Sequence, residues 1–302
     1  MKQAHGGPAT PVTRLVELPG RGTTRIWECA GPPGAEALML IHGVTFTAEL
    51  NWAKVLAPLA RHFRVVAMDL RGHGDGIAAG SRFRLEDCAD DVAALAEVLG
   101  IGKFIAVGYS MGGMVAQLVY KRHAPRLSGL VLCATARNVL GSPAEQLAAL
   151  ALPATATALL WNPLLRPMSA EMFGMALIGP VDDPATARWT RNQLRRTTLA
   201  TALSAIQAVC RFTSHAWIGH VDIPAAVVVT TRDRIVPAGR QLKLARAIPG
   251  ASVHEVAADH AVCTTKPQLF APVLLQACWS VQARGAGQAG AGPGAALTGT
   301  AP

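Results

Sequence analysis

The best candidate for chemistry in this chain is Ser110, in the run Phe104-Ile105-Ala106-Val107-Gly108-Tyr109-Ser110-Met111-Gly112-Gly113. An apolar strand leads straight into Gly-x-Ser-x-Gly and a helical stretch follows, which is the context of a nucleophile elbow. So tight a turn strains the backbone at the serine. It admits only small residues two positions before and two after, where Gly108 and Gly112 stand. The strain lifts the hydroxyl above the sheet. The first amide beyond it, that of Met111, points at the same spot and can bind a developing oxyanion.

A serine hydroxyl is a poor nucleophile at neutral pH and needs a base, with a further group to orient that base. His260 is the expected base. It lies in Ala257-Ala258-Asp259-His260-Ala261, just after a strand ending at Val256, and an imidazole suits proton removal and return. His254 falls inside a strand and His123 near a helix end, while His5, His62, His215 and His220 fall in loops or linkers. The expected orienting acid is Asp233, in Thr230-Thr231-Arg232-Asp233-Arg234-Ile235-Val236-Pro237, directly after the strand Val227–Val229. A buried carboxylate there would fix the imidazole tautomer and stabilise the imidazolium. A bland alternative is a surface Asp233 paired with Arg232 or Arg234. Asp259 is a rival acid, badly placed as the sequence neighbour of His260. The second oxyanion donor is expected from Val44, whose amide follows the strand Leu38–Ile41 in His42-Gly43-Val44. His42 is expected to brace that loop.

These residues need a sheet whose strand ends share one rim. Strands are predicted at Val12–Leu18 and Thr23–Cys29, joined as a hairpin through Pro19-Gly20-Arg21-Gly22. Leu38–Ile41 and Arg64–Met68 are continuous apolar runs of the kind buried on both faces. Leu85, Cys88, Ala89, Val92, Leu95, Ala96 and Leu99 recur at helical spacing, closed by Gly100. A strand at Phe104–Val107, a helix from Met111 to about His123 and a strand at Leu130–Cys133 follow. This alternation predicts an α/β fold, a mostly parallel central sheet flanked by helices, with the candidate residues at its carboxyl rim. It stops from about Asn138 to Ala216, a stretch rich in Leu, Ala and Met with Trp161 and Trp189, read as a helical cap insertion. Strand Ala226–Thr230, a helix near Ala238–Ala247, strand Ser252–Val256 and a helix near Gln268–Val281 complete the pattern. The expected organisation is a core in two parts, 12–137 and 217–283, a cap at 138–216, and a disordered Gly/Ala-rich tail at 284–302.

Composition narrows the class. The 302 residues are 51% hydrophobic, enough for one large core with an insertion. The 28 Lys and Arg against 19 Asp and Glu give a net charge of +9. They are scattered, with Lys121-Arg122 and Arg195-Arg196 the densest pairs, which argues against a nucleic-acid partner. Cys29, Cys88, Cys133, Cys210, Cys263 and Cys278 form no Cys-x-x-Cys pair and read as buried reduced thiols. The first residues lack the apolar region of a signal peptide. No apolar run reaches the roughly 20 residues a bilayer requires. A cytoplasmic protein is expected, with peripheral membrane contact and oligomeric state left open. No phosphate loop and no Gly-x-Gly-x-x-Gly after a strand appears, so no cofactor or metal is expected.

Taken together, His42-Gly43, Asp69-Leu70-Arg71-Gly72-His73-Gly74, Gly108-Tyr109-Ser110-Met111-Gly112-Gly113, Asp233 and His260 resemble the α/β-hydrolase fold superfamily from about Val12 to Val281. More narrowly, they resemble its capped serine hydrolases: carboxylesterases, enol-lactonases, cofactor-free haloperoxidase-like enzymes and carbon–carbon bond hydrolases. The resemblance implies a structural turn at Asp69, Arg71 and His73, and a Tyr109 side chain near the substrate pocket. It implies cleavage of a small, partly apolar carboxylic ester, lactone or lipid ester through an acyl-enzyme on Ser110. Serine at 110, where epoxide hydrolases and haloalkane dehalogenases carry aspartate, disfavours those chemistries. A carbon–carbon hydrolase or acyl transferase on the same triad is one alternative. A ligand-binding protein of the same fold without turnover is another.

Overall fold

The computed structural model describes residues 11–80, 82–140, 170–179, 181 and 183–290. Residues 141–169 of the expected cap, with Trp161, and the expected tail beyond 290 lie outside the described residues. Eight strands form one sheet: β1 (Val12–Leu18), β2 (Gly22–Cys29), β3 (Ala37–Ile41), β4 (Arg64–Met68), β5 (Phe104–Tyr109), β6 (Leu127–Cys133), β7 (Ala225–Thr230) and β8 (Ser252–Val256). Their order is β1-β2-β4-β3-β5-β6-β7-β8. The β1–β2 and β2–β4 pairs are antiparallel and the rest parallel.

The strands explain their own burial. Successive side chains of a strand point to opposite faces, and both faces here are covered. Met39, Ile41, Val66, Met68, Ala106, Leu130, Val227 and Val229 belong to one buried cluster. Leu38, Leu40, Val65, Ala67, Ile105, Val107, Val131 and Val228 belong to the other. The first face is covered by α2 (Leu85–Val98), α3 (Met111–His123) and, after β7, α7 (Ala238–Ala247). The second is covered by α1 (Ala48–Ala60) and α8 (Pro267–Gly290). The sequence reading has no counterpart to α1. Thr47 opens it, its side chain accepting from the Leu50 N–H at 3.0 Å.

The β6–β7 connection carries the helical insertion, described at α4 (Ala170–Ile178), α5 (Pro184–Leu194) and α6 (Leu199–Arg211). Asp183 and Thr198 cap α5 and α6, accepting from Thr186 and Thr201. One difference from expectation lies at the end of the chain. The last helix continues past Val281 to Gly290, so residues 284–290 are helical rather than part of a loose tail. Arg284 supplies a physical reason: its guanidinium donates to the carbonyls of Gly250 and Ala225 and ties this turn to the sheet. Among the described residues, no helix is long and apolar enough to cross a membrane.

Strand order reverses between β3 and β5, because β4 follows on one side and β6 to β8 on the other. A crevice at such a reversal is where open α/β sheets bind ligands. Register then sets the detail. Ile41 pairs with Gly108, so two residues further along each strand Gly43 meets Ser110.

Candidate active site

Ser110 is the single residue between β5 and α3. Its backbone sits at φ 53° and ψ −117°, a strained conformation for a side-chain-bearing residue that costs about 1–3 kcal/mol. The surroundings enforce it. The Ser110 N–H donates to Cys133 O at 2.9 Å, and its carbonyl accepts from Gly113 N–H at 2.9 Å. A methyl group at Gly108 would run into the Gly112 carbonyl, and one at Gly112 into the carbonyls of Ile41 and His42. Both elbow glycines are therefore demanded by backbone packed against backbone.

His260 follows β8 and faces Ser110, with Nε2 3.0 Å from Ser110 Oγ. Its Nδ1 is 2.7 Å from Asp233 Oδ2. The carboxylate is buried and crowded with donors. Oδ2 also accepts from Thr230 Oγ1 at 2.7 Å and Gln241 Nε2 at 3.2 Å. Oδ1 accepts from the backbone N–H groups of Ile235 and Val236, each at 2.8 Å. The turn Thr230–Val236 thus wraps around Asp233 and aims it at the imidazole. Neither Arg232 nor Arg234 pairs with it; its ion-pair partner is His260. Asp259 accepts from the Ala261 N–H at 3.1 Å, a local turn bond.

The loop after β3 reaches the same spot. A methyl group built on Gly43 would lie 3.4 Å from Ser110 Cβ. The Gly43 N–H is taken by Asn51 Oδ1 at 3.0 Å, which leaves Val44 as the next amide along the loop. Met111 is the first residue of α3, and the first N–H groups of a helix have no intrahelical acceptor. His42 braces the loop: its Nε2 accepts from the Leu70 N–H at 2.9 Å and its Nδ1 donates to Gly43 O at 2.8 Å. Burial, with His73 beside it, pushes the His42 pKa down to about 3, in keeping with a ring that must stay neutral to accept. Burial likewise lowers His73 to about 4. Asp69 accepts from the N–H groups of Ala48 and Asp75 at 2.8 and 2.9 Å. These side chains hold backbone.

Tyr109 departs from its expected place beside the substrate. It is buried among Trp52, Phe270 and His260, with ring centroids 5.6–6.1 Å apart. Its hydroxyl donates to the His260 carbonyl at 2.6 Å. The alternation of β5 explains this, since Ile105, Val107 and Tyr109 all point to the α1/α8 face. Tyr109 is a strut under the His260 loop rather than a pocket wall.

Two residues of the site were not singled out in the sequence: Asn51, which holds Gly43, and Gln193 of α5. Gln193 Oε1 accepts from Thr47 Oγ1 at 2.8 Å, and its Nε2 donates to Glu49 Oε2 at 2.9 Å. Asn51 could have been suspected from its place on the helix after His42-Gly43. Nothing local marks Gln193, which meets Thr47 across 146 positions of sequence.

Comparison with known proteins agrees with this architecture. The chain is 36% identical over 127 residues to the dihydrolipoyllysine-residue acetyltransferase component of the acetoin cleaving system of Pseudomonas putida, covering 42% of this chain. It spans only 33% of that relative's length. It is 27% identical over 251 residues to the magnesium-chelatase 30 kDa subunit of Rhodobacter capsulatus, covering 76% of this chain and 85% of the relative. The solved structure of a thermophilic esterase from Thermogutta terrifontis superposes with a TM-score of 0.72 at 22% identity, covering 90% of this chain and 99% of that one. Residues 36–267 match the alpha/beta hydrolase fold family, and over that span the chain belongs to it.

Proposed function

We propose that this chain is a serine hydrolase that cleaves a carboxylic ester or lactone with an apolar portion, through an acyl-enzyme on Ser110. The observation that carries the reading is the hydrogen-bonded chain Ser110 Oγ, His260, Asp233, at 3.0 and 2.7 Å. A carboxylate only accepts, so His260 carries its proton on Nδ1 and leaves Nε2 as the acceptor for the serine hydroxyl. As Ser110 Oγ attacks the carbonyl carbon, His260 Nε2 takes its proton, and Asp233 stabilises the imidazolium that forms. The amides of Val44 and Met111 bind the oxyanion. The alcohol leaves with the proton from His260. Water then attacks the acyl-enzyme, giving its proton to His260, and the acid departs as Ser110 is restored. An apolar substrate portion is in keeping with the Leu-, Ala- and Met-rich composition of the insertion.

Labelling with a fluorophosphonate, mapped by peptide mass spectrometry, tests the reading alongside turnover of p-nitrophenyl esters of increasing acyl length. Modification at Ser110 that disappears in His260→Ala is expected, with hydrolysis lost in Ser110→Ala. Hydrolysis that survives in Ser110→Ala, or folded wild type that neither labels nor turns over, would end it. The latter result would favour a binding protein.

A further inference from the structure

The loop from His42 to Thr47 is strained as well as central. Thr45, buried and β-branched, sits at φ 64°, a region such residues rarely occupy. Such a conformation persists only where neighbours over-determine it. On one side the tethers come from the core: Asn51 takes the Gly43 N–H, and the His42 ring takes the Leu70 N–H. On the other side they come from the insertion. Gln193 takes the Thr47 hydroxyl at 2.8 Å, and the Thr197 hydroxyl reaches Thr45 O at 3.4 Å. Val44 lies between the two sets.

From this geometry we infer that Gln193 is a positioning residue for oxyanion binding: by gripping the first turn of α1, it holds the loop that presents the Val44 amide. The inference rests on the serine-hydrolase reading above. Gln193 is itself buried, and its orientation is determined. Its amide nitrogen must face Glu49, because a carboxylate only accepts. Its carbonyl oxygen then faces the Thr47 hydroxyl, which accepts from the Leu50 N–H at 3.0 Å and gives its proton to Gln193. Arg196 donates to the same Oε1 at 3.3 Å and lies 3.9 Å from Glu49. The Gln193 amide is therefore a latch with one acceptor and one donor, both engaged on residues next to the loop.

The role separates from mere attachment of the insertion, because an oxyanion donor acts more strongly on the transition state than on bound substrate. The experiment measures kcat and KM on p-nitrophenyl butyrate, the affinity of a trifluoromethyl ketone, which forms an oxyanion on the serine, and thermal unfolding. In Gln193→Ala, kcat should fall about ten- to a hundredfold, less than the 10²–10³ lost when an oxyanion donor is deleted outright. KM should stay within about twofold. Trifluoromethyl ketone affinity should fall in step with kcat, with the pH profile unmoved.

A swap guards against a variant that is simply misfolded. Gln193→Glu should be impaired, since it sets a carboxylate against Glu49. Combined with Glu49→Gln, it should recover most of the lost kcat, because donor and acceptor are then exchanged across the same contact. Wild-type kcat in Gln193→Ala, a loss of kcat with full trifluoromethyl ketone affinity, or no recovery in the swap would each overturn the inference. If any of these occurs while Ser110→Ala is inactive, the hydrolase reading stands and only the latch falls. Turnover in Ser110→Ala would take both down.

Discussion

Among the described residues, His260 and Asp233 take their hydrogen bonds from the sheet core, whereas the loop from His42 to Thr47 is shared between the core and the insertion. Asp233 draws its donors from Thr230, Ile235, Val236 and Gln241, all on β7, the turn after it, or α7. Tyr109 of β5 holds the His260 carbonyl. Among the described residues, no hydrogen bond from α4, α5 or α6 enters this set. The facing loop takes Asn51 and Leu70 from the core, and Gln193 and Thr197 from the insertion. On the serine-hydrolase reading, proton transfer is then preorganised by core elements, and charge stabilisation rests in part on the insertion. A change in the insertion can then reach kcat without touching the base.

The largest effect should come from the core-held side. Asp233→Asn should lower kcat by about 10⁴, the size of the corresponding change in a serine protease, while Asp259→Asn changes it little. Equal losses in the two variants would show that Asp233 is not the sole orienting acid. On the shared side, Asn51→Leu strands the Gly43 N–H without an acceptor, which costs about 1–3 kcal/mol of stability. It should also lower kcat, but by less than the 10²–10³ of a deleted donor, and it should leave the pH profile in place. If Asn51 and Gln193 steady one loop from two sides, Asn51→Leu and Gln193→Ala combined should depart from additivity. Strict additivity would mean that the two tethers serve separate ends.

The same contrast bears on what could be read from residues alone. Arg64–Met68 and Ser252–Val256 have the bounds read from the sequence, the first as an apolar run and the second by its place in the strand–helix alternation. Helix α1 escaped for a physical reason. Its buried residues Ala48, Asn51, Trp52, Val55, Leu56, Leu59 and Ala60 recur three and four apart on one face, but the polar Asn51 within that face and the apolar Leu50 outside it break the apolar reading. Pro58, normally a helix breaker, sits in its last turn. Ser110, His260 and Asp233 were legible as candidates because each stands at the end of a recognisable strand or in the loop after it. The resemblance placed Tyr109 near the pocket, whereas the period-two alternation of β5 puts its side chain on the face of Ile105 and Val107. Gln193 was out of reach, because its contact with Thr47 depends on how α5 docks, and docking leaves no periodic trace in the chain.

An effect on stability rather than on turnover concerns Asp69, which secures the start of α1 and so belongs to the shared side. Burial drives its pKa up to about 6 from an ordinary 3.8, against the hydrogen bonds from Asp75 and Ala48 and the nearby charge of Arg196. The folded protein therefore holds the Asp69 proton more tightly than the unfolded chain does. The stability this gives is fully present below about pH 3.8 and is lost as the pH rises through about 6. The full loss is on the order of 3 kcal/mol, at about 1.4 kcal/mol for each pH unit separating the two values. Urea unfolding of wild type and Asp69→Asn between pH 4 and pH 7 reads it directly. Asparagine cannot accept from both N–H groups, which adds an offset that does not vary with pH. The difference between the two proteins should move against the wild type as the pH rises, by an amount approaching that figure. A difference flat across this range would mean that Asp69 keeps an ordinary acidity, with Ala48 and Asp75 alone enough to hold its charge.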